Sequence, residues 1–188
     1  MVKKLSLYIF LILLLCGNAI SEFKDKDREV MLSQLFKQLT KSNNTSIALK
    51  IEMKIWNIWS THPTQKKLTQ LLEKGSDLMS KGELESAYKI FSTITNSAPD
   101  WAEGSNKRAT VLYLMGRYQD SLNDIDEVLK RESRHFGAIS GQGLVQIQLG
   151  NYEEAIKSYQ AVQKIYPTIR SANIMIPQLL ELIKDESI

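Results

Sequence analysis

Cysteine is almost absent from this chain of 188 residues: Cys16 stands alone, so no disulfide can form within the chain and stability must come from packing. Histidine is nearly as scarce. His62 and His135 lie on chemically unlike segments, and no His pair one helical turn apart offers a metal site. No apolar run reaches the ~20 residues that a membrane-crossing helix needs. Neither sign of charge is in excess. There are 24 Lys and Arg against 21 Asp and Glu, a net charge of +3, without the clustered basic excess of a nucleic-acid interface. A nucleophile elbow is missing too, because Ile139-Ser140-Gly141-Gln142-Gly143 lacks the first glycine of Gly-x-Ser-x-Gly. The glycines between 137 and 143 follow no strand pattern, which argues against a phosphate loop. Asp120, Asp124, Asp126 and Glu127 lack the spacing of a calcium loop and read as a solvated helix face. These absences leave no catalytic residue, no cofactor site and no metal ligand set to name.

What the chain does have is a period. Leu68–Trp101, Ala102–His135 and Phe136–Ile169 are three consecutive units of 34 residues. The fifteenth position of each is glycine (Gly82, Gly116, Gly150), and the eighth is small (Gly75, Ala109, Gly143). The twentieth reads Ala87, Ser121, Ala155, while bulky residues fill the twenty-fourth (Phe91, Ile125, Tyr159) and twenty-seventh (Ile94, Val128, Val162). In the third unit, apolar residues up to Leu149 give way to Gly150-Asn151. A second amphipathic run with Tyr152, Ile156, Tyr159, Val162 and Ile165 follows. Each unit is thus two helices joined by a tight turn. Asn151 with Glu154, and Asp100 with Glu103, predict capping pairs. One hairpin cannot bury its apolar face alone, so stacked neighbours must cover it.

The period and its position classes resemble the tetratricopeptide repeat. The resemblance covers residues 68–169 and implies an all-α fold, a right-handed superhelix (an α-solenoid) with the first helix of each unit lining the inner surface. Trp101–Met115 with Gly116-Arg117-Tyr118, and Arg134-His135-Phe136-Gly137-Ala138, are similar to exported tetratricopeptide proteins of alphaproteobacteria. Position by position, the resemblance places Leu72, Ser76, Met79, Glu103, Asn106, Thr110, Tyr113, Ser140, Leu144 and Ile147 in a protein-binding groove. Only Glu103 among them is charged. Family members that clamp a terminal carboxylate use Lys, Arg and Asn there; Asn106 alone matches, so the groove is expected to take an apolar or amphipathic segment instead. At the seventh position Lys74, Arg108 and Gln142 replace the usual Leu, and their stems are expected to be buried with the heads in solvent.

The flanks complete the plan. Residues 1–19 read as a signal peptide: Lys3 and Lys4, the apolar run Leu5–Leu15, then small residues at Gly17 and Ala19. Cleavage after Ala19 would leave a chain without cysteine, periplasmic or secreted. Leu13-Leu14-Leu15-Cys16 resembles a lipoprotein box with a large residue where a small one is usual, so a lipid-anchored envelope assembly factor is the alternative. A hydrolase is a third reading, with no motif behind it. The expected partner is a protein or peptide and not a nucleic acid, with a membrane involved only through Cys16 or an uncleaved signal.

Residues 20–63 form a linker and a helical hairpin. Ser21–Arg28 is expected to be a loose polar lead-in. Leu32, Leu35, Phe36 and Leu39 mark one helix, and Ile47, Ala48, Ile51, Ile55, Ile58 and Trp59 mark a second that ends at His62-Pro63. This hairpin is a degenerate repeat or a cap, expected to pack on the first of the three units within 64–169. Trp56 and Trp59 are expected in core packing, and Trp101, His135 and Phe136 at unit junctions. Residues 170–188 are a capping helix that starts or kinks at Pro177.

Overall fold

The computed structural model describes residues 26–186, and every regular element among them is a helix. The apolar run, the cleavage site and Cys16 lie outside the described residues. α1 spans 26–41 and α2 Thr45–Ser60. Three hairpins follow: α3 Lys66–Ser80 with α4 Leu84–Ser97, α5 Ala102–Leu114 with α6 Tyr118–Arg131, and α7 Phe136–Gln148 with α8 Tyr152–Ile165. The last helix is α9, Arg170–Glu186. From α3 onward each helix packs on the next in chain order, the arrangement of a solenoid.

The period becomes structure through two devices. At the turns, Gly82, Gly116 and Gly150 have φ of 78°, 74° and 76°, the left-handed region where a Cβ would crowd the carbonyl. Glu83, Arg117 and Asn151 donate back to Leu78, Leu112 and Gln146, each at 2.9 Å, which satisfies carbonyls that a helix end otherwise orphans. Within the hairpins, the small eighth residue receives a ring. A Cβ on Gly75 would stand 2.6 Å from Phe91, and one on Gly143 would stand 2.8 Å from Tyr159. The middle unit uses Ala109, whose carbonyl accepts the Ser121 hydroxyl at 2.8 Å.

The predicted capping pairs are not formed. Trp101, not Asp100, is the residue before α5, and the Asn151 side chain donates to Gln146 at 2.8 Å instead of capping α8. The Gly turn already spends the Asn151 backbone N–H on Gln146, so no reciprocal box can close. Residues 26–28 are not a loose lead-in either: they form the first turn of α1, and the Arg28 guanidinium donates to the Thr61 carbonyl at 2.7 Å. α9 does not start at Pro177, which sits inside it.

The N-terminal hairpin does not cap the first unit. α2 lies across three successive unit junctions. Near its end, the Trp59 carbonyl accepts the Trp101 indole N–H at 2.8 Å. At the next junction the Trp59 ring stacks on His135 at 4.0 Å and 9°, and Trp56 meets Phe136 edge-on at 5.3 Å. At the third, the Tyr166 hydroxyl donates to Glu52 at 2.9 Å. α1 adds Thr40, whose hydroxyl donates to the Ile165 carbonyl at 3.0 Å, and Glu29, which pairs with Arg134 at 3.0 Å. One apolar core therefore joins Phe36, Ile55 and Trp59 to Phe136, Tyr159 and Leu179. The physical reason is area: the hairpin's large rings find matching rings at the second and third junctions, whereas the first unit closes its own core around Leu72, Phe91 and Trp101.

Candidate functional site

What remains open on the inner surface is a trough between α5 and α7. On α5, Asn106, Thr110 and Tyr113 recur at helical spacing. On α7, Ser140 and Leu144 do the same, so the five side chains converge on one hollow of about 180 Å³. Small residues on α7, Gly137 and Gly141, keep its floor low. Leu144, which lines the hollow, is 41 % exposed, so apolar surface faces water at its edge. Gly137 and Ser140 also line a hollow of about 550 Å³ beside α2, walled by Leu49, Trp56 and Tyr166. The two hollows share Gly137 and Ser140 as a common wall.

Half of the ten groove residues expected from the sequence are therefore brought together: Asn106, Thr110, Tyr113, Ser140 and Leu144. The others are not. Leu72 is buried in the first unit's core, and Met79 packs against that core from its edge. Ile147 packs against the core shared with the hairpin. Ser76 is half-buried and lines neither hollow.

Glu103 corrects the sequence reading most sharply. It is fully buried at the base of α5 instead of lining the groove. The fully buried His135 sets its ring Nε2 3.1 Å from the Glu103 carboxylate, and the Asn106 amide donates to Glu103 at 3.0 Å. The other ring nitrogen, Nδ1, accepts the Ala138 N–H at 3.1 Å, which makes His135 the N-cap of α7 and assigns the proton to Nε2. Lys107 approaches Glu103 at 3.5 Å. Glu103 and His135 are both enclosed, so the pair acts as a buried polar pin. It also engages the amide of Asn106, which lies between this network and the hollow. Sequence reasoning missed the pair because His135 and Glu103 stand 32 positions apart, one at the end of a unit and one near its start.

Arg108 departs from expectation as well. Its side chain keeps 25 % of its surface in water, but the head is tied to its neighbours: the guanidinium makes bonds of 2.7 and 2.6 Å to the two oxygens of Asp124 and a third, of 2.7 Å, to Thr95. The hydrogen bonds to Asp124 push the Arg108 pKa further up, outweighing burial. Asp124 is accordingly buried and not part of a solvated acidic face. Gln142 at the equivalent position of the next unit accepts the Ser158 hydroxyl at 3.1 Å. The same spacing of 16 residues separates both pairs, and that complementarity was readable in advance.

Comparison with known proteins bears on this geometry. A family model described as tetratricopeptide repeat matches residues 137–169. A TPR repeat-containing protein of Rhizobium etli is 31 % identical over 150 residues, covering 80 % of this chain and 73 % of that protein. Among solved structures, the first TPR of Spaghetti bound to an HSP90 peptide superposes with a TM-score of 0.61 at 19 % identity, over 63 % of this chain and 94 % of that one. The Yersinia enterocolitica type III secretion chaperone SycD, in complex with a peptide of the translocator YopD, gives 0.60 at 15 % identity, over 68 % of this chain and 100 % of that one.

Proposed function

The chain belongs to the tetratricopeptide repeat family, and from that premise we propose that it is a non-catalytic interaction module that takes an apolar or amphipathic protein segment into the trough between α5 and α7. The observation that carries the reading is the lining: Thr110, Tyr113, Ser140 and Leu144 converge on one hollow, uncharged and partly open. The Spaghetti domain and SycD are each described with a bound peptide, which supports a peptide as the ligand class. A terminal carboxylate is disfavoured, because it needs charge-assisted donors and the one matching residue, Asn106, is engaged with Glu103. Shape and chemistry instead favour the apolar face of a helix laid in a groove.

We further propose that the module works outside the cytoplasm, on the strength of the basic start and short apolar run at the N-terminus. Capture from an envelope extract tests the binding reading. Wild type should retain a partner that Tyr113→Glu combined with Leu144→Glu loses, with unchanged helical circular dichroism. A partner held equally by both would remove the trough from the account.

A further inference from the structure

Charge is spread unequally between the two parts of the molecule. The hairpin, residues 26–61, carries six cationic residues against three acidic ones, whereas residues 62–186 carry 15 against 16. Two of the hairpin's three acids are spent inward: Glu29 on Arg134, and Glu52 on the Trp56 indole and the Tyr166 hydroxyl. Five lysines of the hairpin remain exposed with no ion pair among the described residues: Lys26 at the start of α1, and four within the helices, Lys37 and Lys41 on α1, Lys50 and Lys54 on α2. The solenoid has exposed lysines of both kinds: Lys81, Lys130 and Lys157 pair with Asp77, Glu127 and Glu154, whereas Lys66, Lys67, Lys74 and Lys89 show no ion pair but stand in a part of the molecule whose charges balance.

The lysines are arranged. On α1, Val30, Gln34, Lys37 and Lys41 follow one another at helical spacing, opposite the buried stripe of Leu32, Phe36 and Leu39. On α2, Lys50, Met53 and Lys54 lie opposite Ala48, Ile51 and Ile55. Apolar side chains stand among them with half or more of their surface in water: Val30 at 50 %, Met31 at 54 % and Met53 at 64 %. A basic outer face studded with exposed apolar tips, on helices whose other side is already packed, has the composition of an interfacial helix. No described helix is long and apolar enough to cross a membrane, so the contact is with a surface.

We propose that the outer face of α1 and α2 docks on an anionic lipid surface, with the four lysines among the headgroups and Val30, Met31 and Met53 reaching the acyl boundary. An acidic protein would match the lysines but leave the apolar tips without a role. The proposal is independent of the peptide trough, which lies between other helices.

Co-sedimentation of the full chain with vesicles tests it, comparing phosphatidylcholine alone with a mixture containing about one third phosphatidylglycerol. The apolar run at Leu5–Leu15 is common to every arm, so the readout is the ratio of binding to anionic over neutral vesicles. Wild type should show a ratio of about ten or more that collapses at high salt. Changing Lys37, Lys41, Lys50 and Lys54 together to Glu should abolish the preference. Changing Lys66, Lys67, Lys74 and Lys89 to Glu, an equal change in net charge on the first unit, should leave it within about threefold. Met53→Ser should lower binding to anionic vesicles severalfold with the melting curve unchanged. A ratio near one for wild type overturns the proposal, and so does equal loss in the two quadruple variants.

Discussion

The solenoid and the hairpin are held together in opposite ways. In the solenoid the same device is written repeatedly: a glycine turn closed at 2.9 Å, a ring seated over a small residue, each helix packed on its neighbour in the chain. The hairpin is held by single contacts that occur once and reach far along the sequence. Thr40 to Ile165 spans 125 positions, Glu52 to Tyr166 spans 114 and Glu29 to Arg134 spans 105. Repeated local contacts add up unit by unit, whereas a set of non-local contacts is made or lost together.

The sharpest way to break that comparison is Trp59→Ala. The ring touches Phe36, Trp56, His135 and Phe136, so its removal should cost about 3–5 kcal/mol in denaturant unfolding. Hydrogen exchange should then show residues 26–61 opening first while 68–165 stay protected; simultaneous opening would mean the two parts are one cooperative body. Trp101→Ala should cost a similar amount, since its buried indole also loses the bond to the Trp59 carbonyl.

Next in size is Glu103→Ala, which strands the His135 Nε2–H and the Asn106 amide inside the protein. A loss of about 2–3 kcal/mol is expected, with Glu103→Gln milder because it keeps an acceptor. Smaller again is the glycine series. Gly82→Ala, Gly116→Ala and Gly150→Ala should each cost about 1–2 kcal/mol from backbone strain alone, because a Cβ there meets no atom within 4 Å. Near-equal values would confirm that the turns are interchangeable, and one outlier would show that a unit has drifted.

The smallest effect is a titration. Burial pushes the Tyr159 phenol up to about 12 from an ordinary value of 10.0. Unfolded chain therefore loses that proton first, so the stability tied to this group is complete below pH 10 and declines as pH rises toward about 12. Ultraviolet titration should find two tyrosines ionising late, Tyr159 and the likewise buried Tyr166, with unfolding following. Tyr159 ionising with the half-buried tyrosines would unseat it from its place over Gly143.

This contrast also explains what the sequence disclosed. The hairpin limits and the glycine turns were legible because each recurs every 34 residues, and the bulky residue set against a small one (a ring over Gly75 and Gly143) because it keeps the same register among neighbours in the chain. The docking of α2 was not, since Trp56, Trp59 and Glu52 meet residues of other units with no period to betray them. The trough was half legible for the same reason. Family positions placed Tyr113 and Leu144 together, but not the burial of Glu103, which depends on the hairpin lying above it.

Because α2 crosses the junctions marked by Trp101, Phe136 and Tyr166, it acts on the stack as a brace acts on a coiled spring. An unbraced solenoid can change its pitch by small rotations at every joint. Here those rotations would have to shear aromatic contacts at successive joints at once, so a pull on the ends loads the strut before any coil stretches. A segment taken into the proposed trough would meet a seat of one fixed curvature.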